Sequence, residues 1–187
     1  NEKRIIFSIL PYHLYTINDI FNAARNTHRK IVIMGKKLQN VINFSIKEKY
    51  LMVEEGIIGD LSNINDDNSI LLVCDERANP YANISKILHG YDKYINPKES
   101  DTVVFAEPRY DSNEKALVKL ENELAKFGCN IINLPSEKII LHHPSTEDLM
   151  LMIKLIQPKY YMPVKGENRY MVNNANLANN LGINKDN

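Results

Sequence analysis

Cysteine is scarce in this 187-residue sequence, and neither sign of charge is in excess. Two thiols, Cys74 and Cys129, cannot build a disulfide framework. That excludes the stapled folds of small secreted domains and fits packed thiols in a reducing, cytoplasmic setting. The 23 Lys and Arg are matched by 23 Asp and Glu, so no field over the whole surface attracts a polyanion. Any nucleic-acid contact has to come from a local patch. No uninterrupted apolar run is long enough to span a bilayer, which argues against a membrane protein. The opening Asn1-Glu2-Lys3-Arg4-Ile5 has neither an initiator Met nor a signal-peptide layout, and the start reads as a cut in a longer chain. Internal repeats are missing as well.

Several motifs that would announce chemistry are also absent. The turn after the first strand-like run, Ser8-Ile9-Leu10-Pro11-Tyr12-His13, contains no glycine and so no phosphate-cradling loop. Met34-Gly35-Lys36-Lys37 has a glycine and two lysines but not the spacing that lets backbone amides wrap a phosphate. The expectation is a tight turn at Gly35 and a solvated helix start. There is no H-x-H-x-D-H, no C-x-x-C and no spacing that supports a Ser-His-Asp or Cys-His arrangement. Asp75-Glu76-Arg77 could serve a metal or a proton transfer, but a self-neutralising turn is the preferred reading. His142-His143 is the only paired histidine; on an extended segment the two rings point to opposite faces and do not share one metal.

What is present is an ordered alternation. Residues 4–9 are apolar after the first except at Ser8, as a strand covered on both faces should largely be. Leu14, Ile17, Phe21 and Ala24 then share a helical face, and 30–34 is a second strand stopped by Gly35. Leu38, Val41, Ile42 and Ser45 or Ile46 form the next helical face, and 62–68 is a polar surface loop. Strand 69–74 precedes a helix over 80–89 closed by Gly90, and strand 101–106 precedes a helix carrying Leu117, Leu120, Leu124 and Phe127. Strands are expected at 130–134 and 138–141. Ser145 or Thr146 caps a helix that buries Leu149, Met152, Ile153 and Ile156 and ends before Pro158. A strand over 159–164 and a last helix ending near Gly182 complete the chain. With 44% hydrophobic residues to fill a core, this pattern predicts an α/β fold, a mainly parallel sheet with helices on both faces. Ligands in such folds lie beyond the carboxyl ends of the strands, in the turns after Ile9, Met34, Cys74, Ala106, Leu141 and Val164.

An ordered series of segments resembles the ribonuclease J family. Pro158-Lys159-Tyr160-Tyr161-Met162-Pro163-Val164-Lys165-Gly166-Glu167 is similar to the family's P-K-Y-F-M-P-V-H-G-E, and 147–153 to its E-D-L-K-L-M-I helix. Asp101-Thr102-Val103-Val104-Phe105 is similar to its D-T-V-V-F strand, and 78–87 tracks its G-E-P-x-A-A-L-S-R-I. Residues 4–8 and 29–35 match its opening strands. The resemblance implies a β-CASP domain over 1–141 and a returning metallo-β-lactamase segment over 142–187. It also implies that the half bearing most metal ligands, zinc or another divalent ion, lies elsewhere in a longer protein, with no cofactor held by this piece alone.

Departures from the family pattern suggest a degenerate paralogue. Lys165 stands where the family has a metal-binding His, and an ammonium has no lone pair to donate. Asn79 replaces an acidic residue. The H-x-S-G-H loop is shortened, leaving His142 and His143 at its histidines. The resemblance therefore implies a residual catalytic place for His143 and RNA contacts for Ser8, His142 and Lys165. It implies RNA, the remaining metallo-β-lactamase domain, and a ribonuclease J paralogue or second copy as partners. Two rival expectations are an active metal-dependent exo- or endoribonuclease and a free-standing nucleotide- or partner-binding module.

Overall fold

β-Branched runs with apolar residues in succession form strands that are covered on both faces. The structure, a computed structural model, describes residues 3–75, 81–109, 111–135 and 144–186. Chain contacts divide it into two units, Asn1–Ile140 and Leu141–Asn187.

In the first unit, β1 (Ile5–Ser8), β2 (Lys30–Met34), β3 (Ser69–Val73), β4 (Thr102–Phe105) and β5 (Asn130–Asn133) form one sheet of order β2-β3-β1-β4-β5. Every pairing is parallel. The alternating side-chain directions of each strand feed two separate cores. Ile6, Val32, Leu71, Val73, Val103 and Phe105 face one way, against α3 (Ala82–Leu88) and α4 (Asp111–Phe127). Ile31, Ile33, Ile70, Leu72 and Cys74 face the other way, against α1 (Leu14–Asn26) and α2 (Lys36–Lys47). This is the expected α/β arrangement. Leu71 and Leu72, both at 0% exposure, show that the middle of β3 is covered on both faces. Each such side chain contributes about 1.5–3 kcal/mol on burial.

The segment after α2 explains the outlying β2. Ile58 makes a parallel bridge to Ile31, with Ile31 N–H donating to Ile57 O and Gly59 N–H to Ile31 O. The chain thus covers the open edge of β2, then crosses to the other core, where Ile64 is buried, before entering β3. The polar turn around 62–68 is held by Asp60, whose side chain accepts from the Ser62 amide at 2.7 Å.

The amino end of the sheet is pinned by a buried ion pair. Arg4, 0% exposed, directs Nε and Nη2 to the two carboxylate oxygens of Asp101 at 2.9 and 2.5 Å. Its remaining donors reach Ile64 O, Asn65 Oδ1 and Asn96 O. All five guanidinium hydrogens are thereby used. Both cysteines are free thiols, and burial pushes Cys129 up to about 11. It is not a thiolate at neutral pH.

The second unit contains α5 (Thr146–Ile156) and α6 (Asn168–Asn180). Ser145 caps α5 with a reciprocal bond to Asp148, and Gln157 ends it in the left-handed region just before Pro158. Of the face expected to be buried, only Ile153 is; Met152 and Ile156 are exposed. The strand expected over 159–164 is likewise not formed. Its alternation is real, with Tyr160, Met162 and Val164 exposed and Tyr161 and Pro163 half-buried, but among the described residues no neighbour supplies ladder hydrogen bonds. The strand expected at 138–141 lies outside the described residues. Among the described residues, no helix is long and apolar enough to cross a membrane.

Candidate functional site

β1 lies between β3 and β4, so the carboxyl ends of these three strands bring residues far apart in sequence to one place. Ser8 ends β1, Cys74 and Asp75 follow β3, and Ala106 and Glu107 follow β4. The Ser8 hydroxyl donates to Glu107 Oε1 at 2.5 Å. Burial pushes the Glu107 carboxyl above its ordinary range; the Ser8 hydrogen bond opposes this, and the charge of Asp75 adds to it.

Asp75 is also raised by burial, opposed by hydrogen bonds from the Asn83 and Tyr81 backbone and by the nearby Lys86 charge. Its Oδ1 accepts from Asn83 N–H at 2.8 Å, and the Asn83 side-chain amide donates to Cys74 O at 2.9 Å. These bonds fasten the start of α3 to the end of β3. Among the described residues, no hydrogen-bond partner reaches the buried Asp75 Oδ2. Tyr81 closes the group from the α3 side: its ring packs edge-on to Phe105, and its hydroxyl accepts from the Asn113 amide at 3.2 Å. Burial, with Glu107 adding to it, raises the Tyr81 phenol further, so it stays neutral.

Two carboxyls raised by burial, one of them served by a serine hydroxyl, can form hydrogen bonds with sugar hydroxyls and base edges. They do not attract phosphate. The groups suited to phosphate stand on the flank, after β2. Gly35, at φ +94°, makes the tight turn expected of it and is the N-cap of α2. A Cβ there would meet only Cys74 Sγ at 4.0 Å, so backbone conformation rather than space requires glycine. Lys36 and Lys37 follow, exposed, at the positive end of the helix.

Ser8, expected from the sequence to contact RNA, is 0% exposed and gives its hydroxyl to Glu107. Its reach to a ligand is through that carboxyl. Lys165 lies in the second unit and is exposed. Asn79, His142 and His143 lie outside the described residues, as do Glu76 and Arg77. Glu107, Asn83 and Tyr81 were not singled out by sequence reasoning, although the turn after Ala106 was. The available signal for Glu107 was a carboxylate placed directly after a predicted strand.

The divalent metal implied by the resemblance finds no centre here: among the described residues no three His, Cys, Asp or Glu side chains gather around one point. Lys165, expected from the resemblance to stand at the place of a family ligand, offers no lone pair.

Comparison with known proteins agrees with this architecture. The model of the ribonuclease J β-CASP domain matches residues 2–124. Ribonuclease J of Mycoplasma genitalium is 30% identical over 186 residues, covering 96% of this chain and 32% of its own length. Ribonuclease J2 of Bacillus subtilis is 27% identical over 186 residues, 98% of this chain and 34% of its own. Ribonuclease J of Synechocystis is 27% identical over 190 residues, 100% of this chain and 30% of its own. The chain spans about a third of the length of the curated relatives it matches. With the family model matching well over half of its residues, on a parallel α/β sheet, the chain belongs to the ribonuclease J β-CASP family.

Proposed function

We propose that this chain is the RNA-holding β-CASP part of a cytoplasmic ribonuclease J-type RNA-processing protein whose own hydrolytic contribution is weak or absent. The observation that carries the reading is Lys165. It follows the Tyr160–Val164 run, is exposed, and stands where the family pattern has a metal-binding His. Glu167, the nearest acid in sequence, is engaged by Arg169 at 3.0 Å. A lysine there serves as a point charge for an RNA phosphate and not as a ligand for a cation. The substitution at Asn79 points the same way, since an amide replaces a carboxylate of the family's loop.

In this reading the zinc or other divalent ion of the family, where present, belongs to the remainder of the full-length protein. His142 contributes to RNA contact and His143 to whatever hydrolysis persists. Residues 1–141 act as the β-CASP domain and 142–187 as the returning metallo-β-lactamase segment. The protein works by pairing with an active ribonuclease J paralogue. The exposed Met162 and Val164 are apolar surface of the kind that a neighbouring domain covers.

The test uses the full-length protein with Mn²⁺ or Mg²⁺ and 5′-monophosphorylated RNA. RNA is retained without processive degradation, and Lys165→Gln weakens retention while lowering its salt dependence by about one counterion. Robust processive degradation by the wild-type protein refutes the reading.

A further inference from the structure

The carboxyl edge of the sheet continues, on the α1 and α2 side, into an exposed groove. Lys37, Asn40, Val41 and Phe44 recur at three- and four-residue spacing and so share one face of α2, beside its buried Leu38, Ile42 and Ser45, of which Ser45 also lines the groove. Tyr12 and Tyr50 complete a groove of about 540 Å³ along that face. Tyr12, Phe44 and Tyr50 are 63%, 59% and 70% exposed, an aromatic cluster that a monomer ordinarily buries.

The aromatic rings are held in place by backbone. α2 ends in a Schellman motif: Lys49, at φ +61°, donates its N–H to Ile46 O at 3.1 Å, and Tyr50 donates to Ser45 O at 2.8 Å. This fixes Tyr50 beside the last turn of the helix. At the other end Lys37 Nζ lies 5.3 Å from the centre of the Tyr12 ring. The charge shown against a groove residue is that of Lys37, at Tyr12. α2, with sequence KKLQNVINFSIK, contains three lysines and no acid. Glu48 at its C-cap lies between Lys47 and Lys49.

An apolar peptide fits the rings but gains nothing from Lys37 on a helix without acids, whereas single-stranded nucleic acid uses both. Its bases stack on aromatic faces and its phosphates meet the cations. We propose that this groove is a base-stacking subsite for single-stranded RNA, with Phe44 and Tyr50 as the platform, Tyr12 as its wall and Lys37 as the phosphate contact. Asn40, whose amide both donates and accepts, lies between the lysine and the rings and meets base edges. The subsite rests on the reading of this chain as an RNA-holding domain. It lies beside the Ser8–Asp75–Glu107 group, with Lys37 close enough to Cys74 to affect its thiol.

The experiment compares the whole chain binding a short oligoadenylate with the same chain binding a ribose-phosphate oligomer of equal length that lacks bases. Phe44→Ala and Tyr50→Ala, both at exposed positions, each weaken oligoadenylate binding by about 5- to 100-fold and leave the base-free oligomer unchanged. Phe44→Trp keeps the affinity. Lys37→Gln weakens both oligomers and lowers the salt slope by about one. If RNA binds and neither aromatic substitution distinguishes the two oligomers, the subsite is wrong and the RNA-holding reading stands. A wild-type chain that binds neither oligomer overturns both. A wild-type dimer that Phe44→Ala converts to monomer assigns the groove to a second copy and overturns the subsite.

Discussion

The two ends of the same sheet treat buried charge in opposite ways. At the amino end Arg4 and Asp101 are both buried, paired through two hydrogen bonds, and every further guanidinium donor has an acceptor. At the carboxyl end Glu107 accepts from the Ser8 hydroxyl, and one oxygen of Asp75 has no partner among the described residues. A satisfied ion pair fixes β1 against β4 and has nothing left over for a ligand. An under-satisfied carboxyl pair is destabilising in the free protein and gains from one. Satisfaction marks the structural end and its lack the functional end.

Breaking the amino end produces the largest effect. Arg4→Ala leaves Asp101 charged and buried without its cation and lowers stability by about 3–5 kcal/mol, read as a fall in the urea midpoint. At the other end Ser8→Ala removes the hydroxyl that Glu107 accepts from and costs about 1–3 kcal/mol in the same measurement. Tyr81→Phe keeps the ring against Phe105 and loses the bond from Asn113, a cost of about 1 kcal/mol.

The smallest change at neutral pH is the most diagnostic. Glu107 and Asp75 have folded values raised above their unfolded ones, so the native state holds protons more tightly. Stability therefore falls as pH rises from the ordinary carboxylate range through the raised folded values, and levels off above them. In Glu107→Gln the urea midpoint falls less over that window. Ser8→Ala, by removing a bond that lowers the Glu107 value, carries the fall to higher pH. A wild-type midpoint that rises across this window contradicts the assignment.

The sheet was legible because its signal is local. The mostly apolar run at 4–9 and the parity of 69–74 place Ile6 and Leu71 in one core and Ile70 and Leu72 in the other. Gly35, Gly90 and Gly182 all mark turns at positive φ, as their positions after strand or helix suggest. The site was less legible, because its bonds join distant residues. Ser8 and Glu107 are 99 positions apart, and Arg4 and Asp101 are 97 apart. No periodicity records such a pair; only the rule on carboxyl ends pointed to the turn where Glu107 stands. The run 159–164 shows the opposite failure. Its alternation is correct for a strand, but a strand is a property of two partners, and sequence supplies one.

The contrast between the two ends is tested most directly by following backbone amide resonances of the chain during titration with single-stranded RNA. The account predicts shifts at residues 8–15, 36–50, 74–75 and 107–109, with residues 4–5, 64–65 and 96–101 unmoved. Shifts centred on Arg4 and Asp101, with the carboxyl edge silent, would contradict it.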